Sequence, residues 1–169
     1  GLGPNDAIAV VLPNGPEMAT AFLATASACS CAPLNPAYRD DDFAFYLQDL
    51  QASLLIVAAG QDSPARAVAA RMGIPVAELR PDPEAAAGVF SLECLPSGQQ
   101  PAPVRGDALP GDIALVLHTS GTTSRPKMVP LTHANLCASA GHIAATLQLG
   151  AADRCLNVMP LFHIHGLMA

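Results

Sequence analysis

The sequence predicts an α/β protein with a doubly wound, mostly parallel sheet and flanking helices. Short apolar runs alternate with helix-period segments over residues 1–80, and the turns between them carry Pro, Gly and Asn. Composition agrees: 51% of the 169 residues are hydrophobic but only 4% are aromatic, which suits Ala-rich helices packed closely on strands.

Residues 8–12 read as a short, fully apolar strand, followed by the turn Pro13-Asn14-Gly15 and then Pro16, which fits the first helical position. A helix is expected from Pro16, with Met18, Phe22, Thr25, Ala26 and Cys29 on its inner face and a second strand over 32–34. Asp40, Asp41 and Asp42 favour a helix N-terminus, where the macrodipole attracts negative charge, and Phe43, Tyr46, Leu47 and Leu50 form its buried stripe. Residues 54–58 make the next strand, 63–72 a helix ending at Gly73, and 75–79 a further strand.

Three segments result: a first β-α-β half over 1–80, a Pro-rich connector over 81–111, and a second block over 112–169. The connector holds Pro81, Pro83, Pro96, Pro101, Pro103 and Pro110, which defeat long helices and central strands, and is expected to cross the surface. The second block opens with an apolar strand over 112–118, then a hydroxyl-rich loop and a short strand over 128–131. Thr132 then caps a helix with the expected buried stripe Leu136, Ala140, Ile143, Ala144 and Leu147, its wetter side carrying Asn135, Ser139, His142 and Thr146.

Composition also excludes function classes. A net charge of −6 with eight scattered Lys and Arg argues against wrapping nucleic acid. The most apolar stretch, 19–34, is interrupted by Thr20, Thr25, Ser27 and Ser30 and meets Pro33, so no membrane span is expected. No secretory leader is recognisable, which predicts a cytoplasmic or organelle-matrix protein, the peroxisome included in a eukaryote. Cysteines at 29, 31, 94, 137 and 155 lack zinc-site spacing and read as buried free thiols. The chain starts without Met and stops in the apolar run 166–169, and both ends are expected to be cuts.

The most informative residues are Thr119-Ser120-Gly121-Thr122-Thr123-Ser124-Arg125-Pro126-Lys127. Gly121 lets the backbone approach a ligand, N–H groups and hydroxyls can donate to phosphoryl oxygens, and Lys127 adds a point charge. A polyphosphate is the expected target. The P-loop pattern of ordinary nucleotide triphosphatases needs Gly before the lysine and a hydroxyl after it, whereas Pro126 and Met128 stand there.

This stretch resembles the T-S-G-T-T-G-x-P-K signature of the acyl-activating (AMP-binding, adenylate-forming) enzymes. Met159-Pro160-Leu161-Phe162-His163-Ile164-His165-Gly166-Leu167 is similar to the family's P-x-F-H-x-x-G-L segment, and residues 32–38 with the acidic, aromatic helix after them resemble its N-terminal region. Ser124 and Met128 depart from the usual Gly at both positions. Ser124 together with Phe162-His163-Ile164-His165-Gly166 is similar to the oxalyl-CoA synthetase (oxalate-CoA ligase) branch, while Met128 puts the loop's freedom in question.

The resemblance implies an ATP-dependent carboxylate-CoA ligase that uses ATP, magnesium and coenzyme A. Thr119, Ser120, Gly121, Thr122, Thr123 and Lys127 would hold the β- and γ-phosphates, with Arg125 at a variable, solvated position. His163 would be catalytic beside the acyl pocket, donating to the carboxylate or α-phosphate, and His165 or His163 would meet the second carboxylate of oxalate. His163 and His165 also form a His-x-His pair, but without a third ligand nearby no metal site is expected. His118, His133 and His142 read as surface or capping residues.

The magnesium-binding glutamate, nucleoside contacts, hinge and adenylation lysine are expected beyond residue 169, in the remainder of the ligase polypeptide. The chain alone is therefore not expected to make oxalyl-CoA. Another short-chain or aromatic acyl-CoA ligase, or a non-catalytic nucleotide-binding module of the same fold, are the alternatives.

Overall fold

Local chemistry starts and stops the helices. The structure, a computed structural model, describes residues 2–94, 108–119 and 126–168. After strand β1 (Ala7–Val11), Pro16 opens helix α1 (Pro16–Ala26), its ring already holding a helical φ. Strand β2 (Ser30–Pro33) follows, and then helix α2 (Asp40–Asp49), where the Asp42 carboxylate accepts from the Arg39 N–H at 3.0 Å. Strand β3 (Leu54–Ala58) leads to helix α3 (Pro64–Met72), which is capped by Ser63 Oγ accepting from the Ala65 N–H. It ends at Gly73, whose φ of 69° is the left-handed geometry that glycine adopts without strain.

Strands β4 (Val76–Pro81) and β5 (Phe90–Cys94) come next, then β6 (Ile113–Thr119) and β7 (Lys127–Thr132). Helix α4 (His133–Thr146) is capped reciprocally: Thr132 Oγ1 accepts from the Asn135 N–H, and Asn135 Oδ1 accepts from the Thr132 N–H. A short helix α5 (Ile164–Met168) closes the described chain.

The strands form a seven-stranded sheet in the order β5-β4-β3-β1-β2-β6-β7 among the described residues. Pairs β1/β2, β1/β3, β3/β4 and β2/β6 are parallel, and only the outer pairs β4/β5 and β6/β7 are antiparallel. Strand alternation divides the core. Ile8, Val10, Cys31, Ile56, Leu115 and Leu117 face α1, while Ala9, Val11, Ala32, Leu55, Val57 and Val116 face α2 and α3. Both faces are therefore apolar, which is why the central strands read as continuous hydrophobic runs.

This winding positions the site. β1 sends its connection to the α1 face, whereas its neighbours β2 and β3 send theirs to the opposite face. Such a reversal opens a crevice at the carboxyl ends of the strands.

Two expectations need correction. The α4 stripe is not buried: no residue of α4 is fully covered, Ala140 is exposed and Leu147 is 63% exposed. Periodicity reveals an apolar face but not what covers it, and within the described chain α4 touches chiefly β6, β7 and α5. The Pro-rich stretch also contains a strand, β5, which pairs at the sheet edge where prolines on either side are tolerated. Gly88 makes that turn possible, since at φ 89° an added Cβ would lie 2.5 Å from Thr20 Oγ1.

Candidate functional site

Donation from β2 to β6 stops at Pro33 for a local reason. Leu34 donates its N–H to the Val10 carbonyl on the β1 side, so by alternation residue 33 faces β6, and Pro33 has no N–H to give. The described β2/β6 register is accordingly Cys31 opposite Leu115. Beyond it β6 is held by β7, as far as Thr119 opposite Lys127. Both flanks of the hydroxyl-rich loop thus stand side by side, exposed, at the carboxyl end of the sheet. Ser120, Gly121, Thr122, Thr123, Ser124 and Arg125 lie outside the described residues.

A cleft of about 420 Å³ opens beside this end. Tyr38 and Tyr46 form one wall, Leu117, His118, Thr119 and Pro126 the floor beside the loop, and Phe162, His163 and Ile164 the far side. The two tyrosine rings stack at 4.8 Å with 14° between planes, their hydroxyls 3.3 Å apart, and Phe43 meets Tyr38 edge-on. Burial, and then the hydrogen bond to Tyr46, push the Tyr38 phenol up from its ordinary value, so it remains a neutral hydroxyl.

His118 is not the surface or capping residue expected from the sequence. Its side chain is 5% exposed, its Nε2 lies 2.9 Å from Asp49 Oδ2, and its ring meets Tyr46 edge-on at 4.7 Å. A carboxylate only accepts, so Nε2 carries the proton. One signal was available: His118 stands two residues after Val116, on the face of β6 that packs toward α2. Asp49, 69 residues earlier, has no such signal. His133 is half-buried at the start of α4 and His142 is exposed.

His163 and His165 are both exposed; His163 lines the cleft, whereas His165, on α5, is not among the lining residues. The His163 Nδ1 accepts from the His165 N–H at 3.2 Å, which leaves Nε2–H as the donor of the neutral ring. The segment carrying both is pinned at several points. Leu161 N–H donates to Asn14 Oδ1 in the turn between β1 and α1, Met159 N–H to Asn157 Oδ1, and Asn157 Nδ2 to the Gly166 carbonyl at 2.6 Å. Gly166 must be glycine: an added Cβ would overlap the Pro160 carbonyl oxygen and sit 2.9 Å from that of Met159.

The cleft's lining side chains are apolar or offer hydroxyl and imidazole groups, and none carries a carboxylate. That lining suits a bound anion. Among the described residues no cluster of three or more His, Cys, Asp or Glu could hold a metal ion, and no helix is long and apolar enough to cross a membrane.

Comparison with known proteins agrees with this architecture. The family model described as AMP-binding enzyme matches residues 1–169. The chain is 39% identical over 170 residues to an oxalate-CoA ligase of Arabidopsis thaliana, covering 100% of this chain and 33% of that protein. It is also 39% identical over 184 residues to an oxalate-CoA ligase of Saccharomyces cerevisiae, covering 96% and 34%. The crystal structure of ATP-bound MatB from Rhodopseudomonas palustris superposes with a TM-score of 0.78 at 28% identity, over 99% of this chain and 33% of that one. The chain thus spans about a third of the length of these relatives. On the match along its whole length, the chain belongs to the AMP-binding enzyme family.

Proposed function

We propose that the chain supplies the phosphate-gripping part of an ATP-dependent carboxylate-CoA ligase, and that its acid is oxalate. The observation that carries this reading is one cleft lined by Thr119, beside the loop, and His163, with Lys127 paired to Thr119 at its edge. A carboxylate is a poor electrophile, because its charge is delocalised and oxide is a bad leaving group. In the first step a carboxylate oxygen bonds to the α-phosphorus of ATP while the bond to the β-phosphate oxygen breaks and pyrophosphate leaves. In the second, the sulfur of coenzyme A bonds to the acyl carbon, AMP departs with the carbonyl–oxygen bond pair, and the thiol proton is released.

Both reactants of the first step are anions, so the protein's work is electrostatic and positional. Thr119, Ser120, Gly121, Thr122, Thr123 and Lys127 would grip the β- and γ-phosphates, and the Nε2–H of His163 would donate to the carboxylate or α-phosphate. Bound magnesium would neutralise triphosphate charge, but the described residues offer it no donor set, and a holding glutamate belongs to the remainder of the polypeptide. Coenzyme A would also meet that remainder. A cytoplasmic or organelle-matrix setting, the peroxisome included, would supply the ATP and coenzyme A that this reading requires.

Oxalate is favoured by Ser124 with the His163-Ile164-His165 segment and by the two oxalate-CoA ligases among the relatives. Its second carboxylate needs a buried donor, since an unpaired charge in a closed pocket is costly. Both imidazoles are exposed, but His163 lines the cleft and His165 does not, which places His163 better for this. The test is CoA-thioester formation by the full-length ligase with oxalate, acetate, malonate and coumarate. Oxalate should give the highest kcat/KM, and preference for another acid would overturn the substrate while leaving the reaction class.

A further inference from the structure

The carboxyl end of β6 must deliver Thr119 to one place, yet His118 and Thr119 run past the end of β2: with Cys31 opposite Leu115, Pro33, the last residue of β2, stands level with Leu117. Pro33 ends the donation from β2, and the outer strand β7 holds only the other side. On the α2 side the described side-chain tie is His118 Nε2–H to Asp49 Oδ2, at 2.9 Å. The two partners differ in exposure: the His118 side chain is 5% exposed and that of Asp49 is 40%. The imidazole is therefore gripped inside the cleft wall, against Tyr46 and Phe45, while the carboxylate anchors it from the rim.

We propose that His118 and Asp49 are a positioning pair that fixes the carboxyl end of β6 against α2 and so places Thr119, the described residue from which the hydroxyl-rich stretch continues. This rests on the ligase reading for its effect on ATP, but its structural half does not. His118 precedes Thr119 in sequence and lines the same cleft. A packed ring alone would fill space. The hydrogen bond adds direction, because it stops the strand end sliding along α2.

The experiment compares His118→Leu, Asp49→Ala, the double variant and His118→Gln in the full-length protein. Leu fills the space without a donor, whereas Gln restores an N–H within reach of Asp49. Hydrogen exchange without ATP should quicken about 10-fold over residues 117–119 and 127–129 in the Leu and Ala variants, the loss expected for one hydrogen bond to a charged group. β1 and β3 should be unchanged, the double variant no worse than either single one, and Gln close to wild type. Steady-state kinetics should show the same order in the KM for ATP, with kcat and the KM for the acid nearly unaffected. Unchanged or sheet-wide faster exchange, multiplying effects in the double variant, or no rescue by Gln would overturn the pair. A wild-type enzyme without carboxylate-dependent activity would instead overturn the ligase reading, and the exchange result would still decide the pair.

Discussion

Thr119 and Lys127 face each other in the last register pair of the β6/β7 hairpin. Backbone pairing therefore delivers a hydroxyl and an ammonium together to the edge of the cleft. If Lys127 meets phosphate, Lys127→Ala in the full-length ligase should lower kcat/KM for ATP by about 10- to 100-fold, the range for one charge-assisted hydrogen bond. Lys127→Arg should recover part of it. Initial rates against ATP concentration provide the check, and an unchanged value would remove Lys127 from the site.

Gly166 makes a sharper structural prediction. Its missing Cβ accommodates the Pro160 and Met159 carbonyls, and its own carbonyl takes the Asn157 amide. Gly166→Ala should cost about 1 to 3 kcal/mol through overpacking and displace the segment that carries His163. Denaturant unfolding measures the first effect. The KM for the acid measures the second and should rise.

The core predicts its own hierarchy. Phe43 is 0% exposed between α2 and the sheet, so Phe43→Ala should destabilise by about 3 to 5 kcal/mol. Leu156 is 86% exposed, and Leu156→Ala should stay within about 0.5 kcal/mol of wild type. Urea midpoints at equal slope are the measurement.

Much of this core was legible before any coordinates. β1 and β3 announce themselves because parallel strands covered on both faces leave unbroken apolar runs, and Pro16, Ser63, Gly73 and Thr132 mark helix ends by local chemistry. What escaped was non-local. β5 reads Phe-Ser-Leu-Glu-Cys, and nothing within those residues reveals that β4 lies beside them. His118 joins Asp49 across 69 residues, so its partner could not be read from the residues around it. The α4 stripe failed for the opposite reason, since an apolar face is local but its cover is not.

The thiols separate by position, and so should their chemistry. Cys29 and Cys31 are buried, while Cys94, Cys137 and Cys155 are exposed, contrary to the expectation that all five are buried. Burial, and then the charge of Cys29, push the Cys31 thiol up; burial, and then Asp6, raise Cys29. Alkylation of the folded protein followed by peptide mass mapping should label the three exposed cysteines and spare the other two.

The same shifts fix the sign of a pH effect. Above the ordinary thiol value of 9.0 the unfolded chain loses protons that folded Cys29 and Cys31 retain, and above 10.0 Tyr38 adds to this. The stabilising contribution is complete below pH 9.0 and is lost as pH rises beyond it. Urea midpoints should fall between about pH 8 and about pH 10, and Cys31→Ala should flatten that fall.

The most direct measurement is isotopic exchange between pyrophosphate and ATP, catalysed by the full-length ligase with and without oxalate. Exchange that requires oxalate and collapses in Thr122→Ala and Lys127→Ala is the predicted result. Exchange indifferent to every carboxylate, or oxalate turnover that releases ADP and phosphate instead of AMP and pyrophosphate, would contradict adenylate formation at this loop.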